Sequence, residues 1–130
     1  VRGNTHIWFG VSSALLLFHP PLWSYALVGL GSLLPDVDHK NSPVGILPCI
    51  KHRTVTHSLL ACGLALLINP WLGLGYVSHV LLDMLNPTGC PLLWPYTKKF
   101  SVGSIKTGSK VETIFRNGLK MIMLTIILFP

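Results

Sequence analysis

Five apolar stretches, at residues 7–18, 22–34, 59–68, 71–85 and 119–129, make up nearly half of this chain, and every one of them is short. A helix that crosses a bilayer needs about 20 predominantly apolar residues, whereas runs of roughly 10 to 14 are read as buried core helices or re-entrant segments. The chain is thereby restricted to short helices that must bury one another or lie in something other than water. A mean hydropathy of +0.57 is too high for an ordinary soluble domain and points to a membrane. Whether the helices cross a bilayer or dip into it stays open at this level.

The breaks between the stretches organise them in pairs. Pro20-Pro21 and Pro70 interrupt the two apolar halves at similar places, and Trp23 and Trp71 follow the breaks, as interfacial aromatic residues do. Helices are predicted over 6–18, 22–34, 56–68 and 72–85, with Asn86-Pro87-Thr88-Gly89 stopping the fourth. Residues 90–109, rich in Pro, Gly, Thr and Lys, read as an irregular loop with a short strand or two. Ser109-Lys110-Val111-Glu112 has the form of a capping box, so a last helix starts there. The fold class is all-α: one domain over 1–130, a membrane-associated bundle of short helical hairpins with an irregular Pro/Gly-rich loop before the last helix.

Two hairpins have a consequence for chemistry. His6 begins the first helix and Asp36 follows the second; His57 begins the third, while His79 and Asp83 end the fourth. All of them come to one end of the bundle. The ten basic residues fall at that same end, which is the positive-inside pattern and puts it in the cytoplasm. Anionic headgroups would attract such a surface. Nucleic acid is disfavoured as a partner, because no arginine-rich helix or recognised nucleic-acid motif is present. Cys49, Cys62 and Cys90 have no C-x-x-C spacing and read as buried, inert thiols in a reducing compartment. The chain begins at Val1, as a fragment or a processed protein would, and its first segment lacks a signal-peptide layout.

Three of the four acidic residues lie in two histidine-bearing motifs, Pro35-Asp36-Val37-Asp38-His39 and His79-Val80-Leu81-Leu82-Asp83, with His52-Arg53-Thr54-Val55-Thr56-His57 between them. His79 and Asp83, four apart, project from one helix face and can share an ion, or the carboxylate can orient the imidazole. In an extended segment Asp36 and Asp38 would point to the same side, and two such close carboxylates resist full ionisation without a cation between them. Thr54 or Thr56 is placed to cap the third helix. Arg53 could hold a phosphate or clamp an aspartate. The expected metal ligands are His6, Asp36, Asp38, His57, His79 and Asp83, with His19 left at the opposite end as a turn residue. Mixed nitrogen and oxygen donors suit a divalent ion, zinc first, with manganese or iron next, better than calcium. Two ions, or one ion with a general base, would both fit this many ligands. His39, His52 or an unligated aspartate would act as general base, and Arg53 would stabilise developing negative charge. No nucleophile elbow, P-loop, Rossmann fingerprint or H-E-x-x-H motif is present.

The three motifs taken in order, with Ser78 and the Met84-Leu85-Asn86-Pro87-Thr88-Gly89 flank, Leu92-Leu93-Trp94-Pro95, Thr107-Gly108-Ser109 and Glu112, resemble the YdjM family over about residues 6–112. The resemblance implies a metal-dependent hydrolase of the bacterial or archaeal inner membrane, with a LexA-binding label on one branch. Against that family the chain looks short at its C-terminus, where it ends in the apolar run 121–130. The His-x-x-x-Asp spacing is also similar to the all-α zinc phospholipase C and P1 nuclease architecture, which implies phosphoester chemistry; fold-level analogy does not set a substrate. The function expected is hydrolysis, by metal-activated water, of a phosphoester or lipid-like substrate at the cytoplasmic face. The rival is a non-catalytic membrane protein whose structural metal site docks a cytoplasmic partner. A metal transporter is disfavoured, because its ligands would sit at mid-membrane depth rather than at segment ends.

Overall fold

The computed structural model describes residues 1–39 and 53–129. Among the described residues five helices follow one another: α1 (Gly3–Phe18), α2 (Leu22–Gly31), α3 (Leu59–Ile68), α4 (Pro70–Met84) and α5 (Lys110–Leu128). Among the described residues between α2 and α3 lie two 3-10 turns, Leu34–Asp38 and Val55–His57. The described residues contain no strand; the loop before α5 holds a single antiparallel bridge between Cys90 and Phe100. The all-α expectation holds, and the strands expected of the loop reduce to that bridge.

The helix ends follow from local chemistry. α1 closes where His19 turns left-handed (φ 46°), and the following Pro20-Pro21 supplies no amide to continue it. α4 starts two residues earlier than predicted because Asn69 caps it, accepting from the amides of Trp71 (2.9 Å) and Leu72 (3.2 Å) with Pro70 in the first helical position. Neither Thr54 nor Thr56 caps α3. Ser58 does, accepting from the Ala61 amide at 3.2 Å, which leaves Val55–His57 as a separate 3-10 turn. At α5 the capping box forms by half: Ser109 Oγ accepts from the Glu112 amide (3.2 Å). The Glu112 carboxylate reaches past the cap to the amides of Gly108 and Arg2 (2.6 Å each) and the Thr5 hydroxyl (2.9 Å), tying α5 to the start of α1.

α4 is the central element and packs on α1, α2 and α3, while α5 leans on α1. The crossing of α2 and α4 is backbone-close. A methyl group at Gly75 would run into the Val28 carbonyl oxygen, and one at Gly31 into that of Leu72. Gly10 of α1 meets the side chains of Ser32 and Ser78 at the same crossing. Small residues at helix crossings let backbones approach where hydrophobic association cannot drive packing.

The polarity of the molecule is inverted. Among the described residues, buried polar side chains outnumber buried hydrophobic ones, and a modest cluster of Cys62, Ala65, Tyr76, Val80 and Cys90 is the apolar core. Burial pushes the Cys62 and Cys90 thiols up to about 11 and about 12, so both are the protonated, inert thiols expected; Cys49 lies outside the described residues. Large apolar side chains face outward. They are dense at the tip where both hairpins turn, where Leu22 and Leu67 are 88% and 84% exposed. Phe18 and Trp71 meet edge-on there (6.2 Å between centroids), which puts the two turns at one end of the bundle. No helix among the described residues is long and apolar enough to cross a membrane.

Candidate metal centre

Pairing the hairpins brings the histidines together at the end opposite the apolar tip. His6 comes from the first turns of α1, and His79 and Asp83 from the last turns of α4. Asp36 and His57 come from the two 3-10 turns. All three imidazoles are fully buried, and Asp83 is 1% exposed. His6 Nε2 lies 3.4 Å from Asp83 Oδ1, and His57 Nε2 lies 3.5 Å from Asp83 Oδ2. His79 Nε2 lies 3.6 Å from Asp36 Oδ1 and 3.8 Å from Asp83 Oδ2, and His57 Nε2 lies 4.0 Å from Asp36 Oδ1. The rings of His6 and His79 stack at 3.6 Å, and that of His57 meets His79 edge-on at 5.3 Å.

These separations carry a chemical meaning. Direct hydrogen bonds between imidazole and carboxylate would be about 2.7 to 2.9 Å. Ligand atoms on the corners of a tetrahedron, each about 2.0 to 2.1 Å from a central ion, lie about 3.3 to 3.4 Å apart. All five separations exceed the first figure, and the shortest, 3.4 and 3.5 Å, are close to the second. Two triads of convergent ligand atoms result: His6, His79 and Asp83, and Asp36, His57 and His79. The Nε2 atoms of His6 and His79 are buried with no hydrogen-bond partner among the described residues. Leaving such atoms unmatched is costly in the absence of a ligand.

The residues behind the ligands set which nitrogen faces the centre. His79 Nδ1 donates to the Ser32 carbonyl at 2.7 Å, so its lone pair is on Nε2. Thr56 Oγ1 donates its one proton to Asp38 Oδ2 (2.6 Å) and therefore accepts from His57 Nδ1 (3.0 Å), which turns the His57 lone pair inward as well. The Tyr76 hydroxyl holds the Thr56 carbonyl at 2.6 Å. Burial, reinforced by His6, pushes the His79 pKa well below its ordinary 6.5, and its imidazole is neutral. Burial would raise Asp83, but the His57 and His6 imidazoles facing it more than reverse that and hold the carboxyl well below the usual carboxylate range. Neutral imidazole and ionised carboxylate are the forms that ligate metal. Because His79 offers one lone pair and belongs to both triads, the triads cannot each hold an ion of their own.

Arg53 closes one side. Its backbone is left-handed (φ 58°), which turns the side chain inward. Nη2 donates to Asp83 Oδ2 at 2.7 Å, and Nη1 donates to Thr88 Oγ1. Beyond it opens a cleft of about 400 Å³ lined by Arg53, Asn86, Pro87, Thr88, Lys106 and Thr107.

Of the residues expected to ligate, His6, Asp36, His57, His79 and Asp83 converge. Asp38 stands apart from both triads, because residues 34–38 form a 3-10 turn rather than the extended segment expected, and the two aspartates diverge. Asp38 is buried and bonded to Thr56. His39 follows that turn, with its amide on the Asp36 carbonyl (3.0 Å), and joins neither triad. His52 lies outside the described residues. His19 is exposed at the opposite end, as expected. The sequence reading missed Ser32 and the link through Thr56 to Asp38, whose one signal was a hydroxyl directly preceding a histidine. It also missed Lys106 of the cleft wall, although Lys106 directly precedes the Thr107-Gly108-Ser109 motif.

The family model described as "YdjM inner membrane protein" matches residues 1–129. Inner membrane protein YdjM of Escherichia coli is 41% identical over 96 aligned residues, which cover 55% of this chain and 48% of that protein. The Shigella flexneri protein of the same name matches equally. The chain thus spans about half the length of these relatives. The uncharacterized protein YvsG of Bacillus subtilis is 29% identical over 145 aligned residues, covering 93% of this chain and 91% of that protein. No solved structure matches the chain.

Proposed function

The chain belongs to the YdjM inner membrane protein family, and from its site we propose that it is a membrane-associated metal-dependent hydrolase. The observation that carries this reading is the convergence of buried imidazole nitrogens and carboxylate oxygens at metal-ligand spacing. Asp36, His57, His79 and Asp83 would hold a divalent ion, zinc first and manganese or iron next, with His6 beside them. Such an ion supplies a Lewis acid that lowers the pKa of water to about 7. Asp38 and Thr56 fix the His57 tautomer, and the Ser32 carbonyl fixes that of His79. Arg53, which pairs with Asp83, would meet negative charge developing on a phosphoester or similar oxygen. His39 and His52 are the candidate bases for the proton that water loses.

The apolar tip supports membrane association through one leaflet. From His6 to Phe18, twelve helical steps rise about 18 Å. One leaflet of hydrocarbon is about half of 30 Å. A tip immersed that far would set the centre at headgroup level, on the side where the basic residues favour the cytoplasmic face.

Complete burial of the three histidines favours a second reading, a closed structural site on a protein that docks a cytoplasmic partner. Elemental analysis of detergent-purified protein separates the two from a metal-free fold. Wild type should carry one equivalent of zinc, manganese or iron, and His79→Ala/Asp83→Ala should lose it with helicity retained. Metal-dependent release of phosphate or alcohol from phosphoesters then marks catalysis, and bound metal without turnover marks the structural site. A wild type that takes up no metal refutes both.

A further inference from the structure

The cleft beyond Arg53 has a donor inventory that selects its occupant. Asn86 Oδ1 accepts from the Thr88 amide (3.1 Å) and hydroxyl (2.9 Å), so both Thr88 donors are engaged. The Thr88 oxygen in turn receives Arg53 Nη1. Thr107 Oγ1 accepts from Asn86 Nδ2 (3.0 Å) and from the Val1 amine (2.9 Å), which leaves the Thr107 hydroxyl proton available. Arg53 Nε is buried with no partner among the described residues, and the Lys106 ammonium stands on an exposed wall residue. The lining therefore retains donors and two positive charges, and no acidic residue is part of it. The lining offers an anion several donors and a cation no carboxylate.

We propose that this cleft is a phosphoryl subsite, in which Lys106, Thr107 and Arg53 hold the non-reacting oxygens of a phosphate ester. It deepens the hydrolase reading and rests on it for the identity of the adjoining centre. The geometry gives Arg53 two faces. Nη2 is on a carboxylate of the metal triad and Nη1 is on the cleft wall, so a phosphoryl group on the wall lies one guanidinium away from the ligands. The volume of about 400 Å³ accommodates a phosphoryl group with part of its ester and falls within the roughly 300–1,000 Å³ of small-molecule sites. The same chemistry could arrive as a soluble phosphomonoester or as a lipid headgroup.

The test is calorimetric titration of the full, metal-loaded chain with inorganic phosphate, glycerol phosphate and a short-chain phosphatidate, with glycerol as the uncharged control. Metal content and helicity are recorded for each variant. Lys106→Glu should weaken phosphate binding about tenfold, the loss of one charge-assisted contact, with metal content unchanged. Lys106→Arg should restore it, and Thr107→Val should weaken it less. Phosphatidate binding about tenfold tighter than glycerol phosphate identifies the lipid source, and equal affinities identify the soluble one. Unchanged phosphate affinity in Lys106→Glu, or glycerol binding as well as glycerol phosphate, overturns the assignment. A metal-loaded wild type that binds no phosphate overturns the subsite alone. A wild type that takes no metal yet binds phosphate through Lys106 keeps the subsite and refutes the metal reading.

Discussion

Gly75 sits one helical turn before His79 on the same face of α4, and replacing it by alanine tests whether the helix crossing sets the centre. The added methyl would overlap the Val28 carbonyl oxygen and lie 2.8 Å from the Ser32 amide nitrogen. Both obstacles are backbone, so no side chain can rotate away. Ordinary contact there needs about 3.4 Å or more, and the overlap with the Val28 carbonyl requires α2 and α4 to separate by more than an ångström. Overpacking of this kind costs about 1 to 3 kcal/mol. The shift acts on the Ser32 carbonyl that fixes His79, and loss of such an orienting bond lowers metal affinity about 10- to 100-fold. The assay is chelator competition for zinc beside thermal unfolding in the same detergent. Gly63→Ala is the internal control: a methyl there meets nothing within 4 Å, so the usual helix preference should stabilise by up to about 1 kcal/mol with zinc affinity unchanged. If Gly75→Ala melts and binds zinc like wild type, the crossing does not position the centre and the reasoning fails.

Thr56→Val removes the link between Asp38 and His57 at nearly constant shape; zinc affinity should fall about 10- to 100-fold, read by chelator competition, whereas Asp38 acting as a direct ligand would leave the valine variant near wild type. Glu112 predicts an acid dependence of stability. Burial alone would raise its pKa, but the Arg2 and Gly108 amides and the Thr5 hydroxyl together lower it below the ordinary 4.5. The unfolded chain then binds the proton more readily, so the stabilisation is complete above about pH 4.5 and is lost as pH falls through the lower folded value. Glu112→Gln should cost about 1 to 3 kcal/mol at neutral pH and flatten the fall in Tm below pH 4.5; an unchanged acid limb would reject the role given to Glu112.

The hairpins and the gathering of the site were legible because their causes are local. Pro20-Pro21 and Asn69-Pro70 end and begin helices through missing amides and a cap, and two hairpins, each with a 3-10 turn extending its shorter arm, returned His6, His57, His79 and Asp83 to one end. Ser109 was readable for the same reason. What escaped depends on partners far along the chain. Glu112 looked like a capping-box residue, yet its carboxylate bonds Arg2 and Thr5, more than a hundred positions away. Asp36 and Asp38 share one motif as expected ligands, and the 3-10 turn sends one to the histidines and the other to Thr56. The role of Gly75 is set by the α2 backbone against it, which no pattern within α4 displays.

The inverted polarity divides the work of the sequence in an unusual way. In a water-soluble bundle, interior leucines and valines are held to shape while the outside drifts among charged residues. Here, among the described residues, much of the interior is Ser, Thr, His, Asp and backbone-close Gly, many of them held by a specific bond or a specific clearance, and the outside is dense in Leu, Ile, Trp and Phe. A hydrocarbon surrounding does not discriminate one branched side chain from another. Leu17, Leu22 and Leu67 should therefore interchange freely with Ile, Met or Phe across relatives, while Ser32 and Ser78 stay fixed, so that in this fold the variable letters are the oily ones and the polar letters spell the structure.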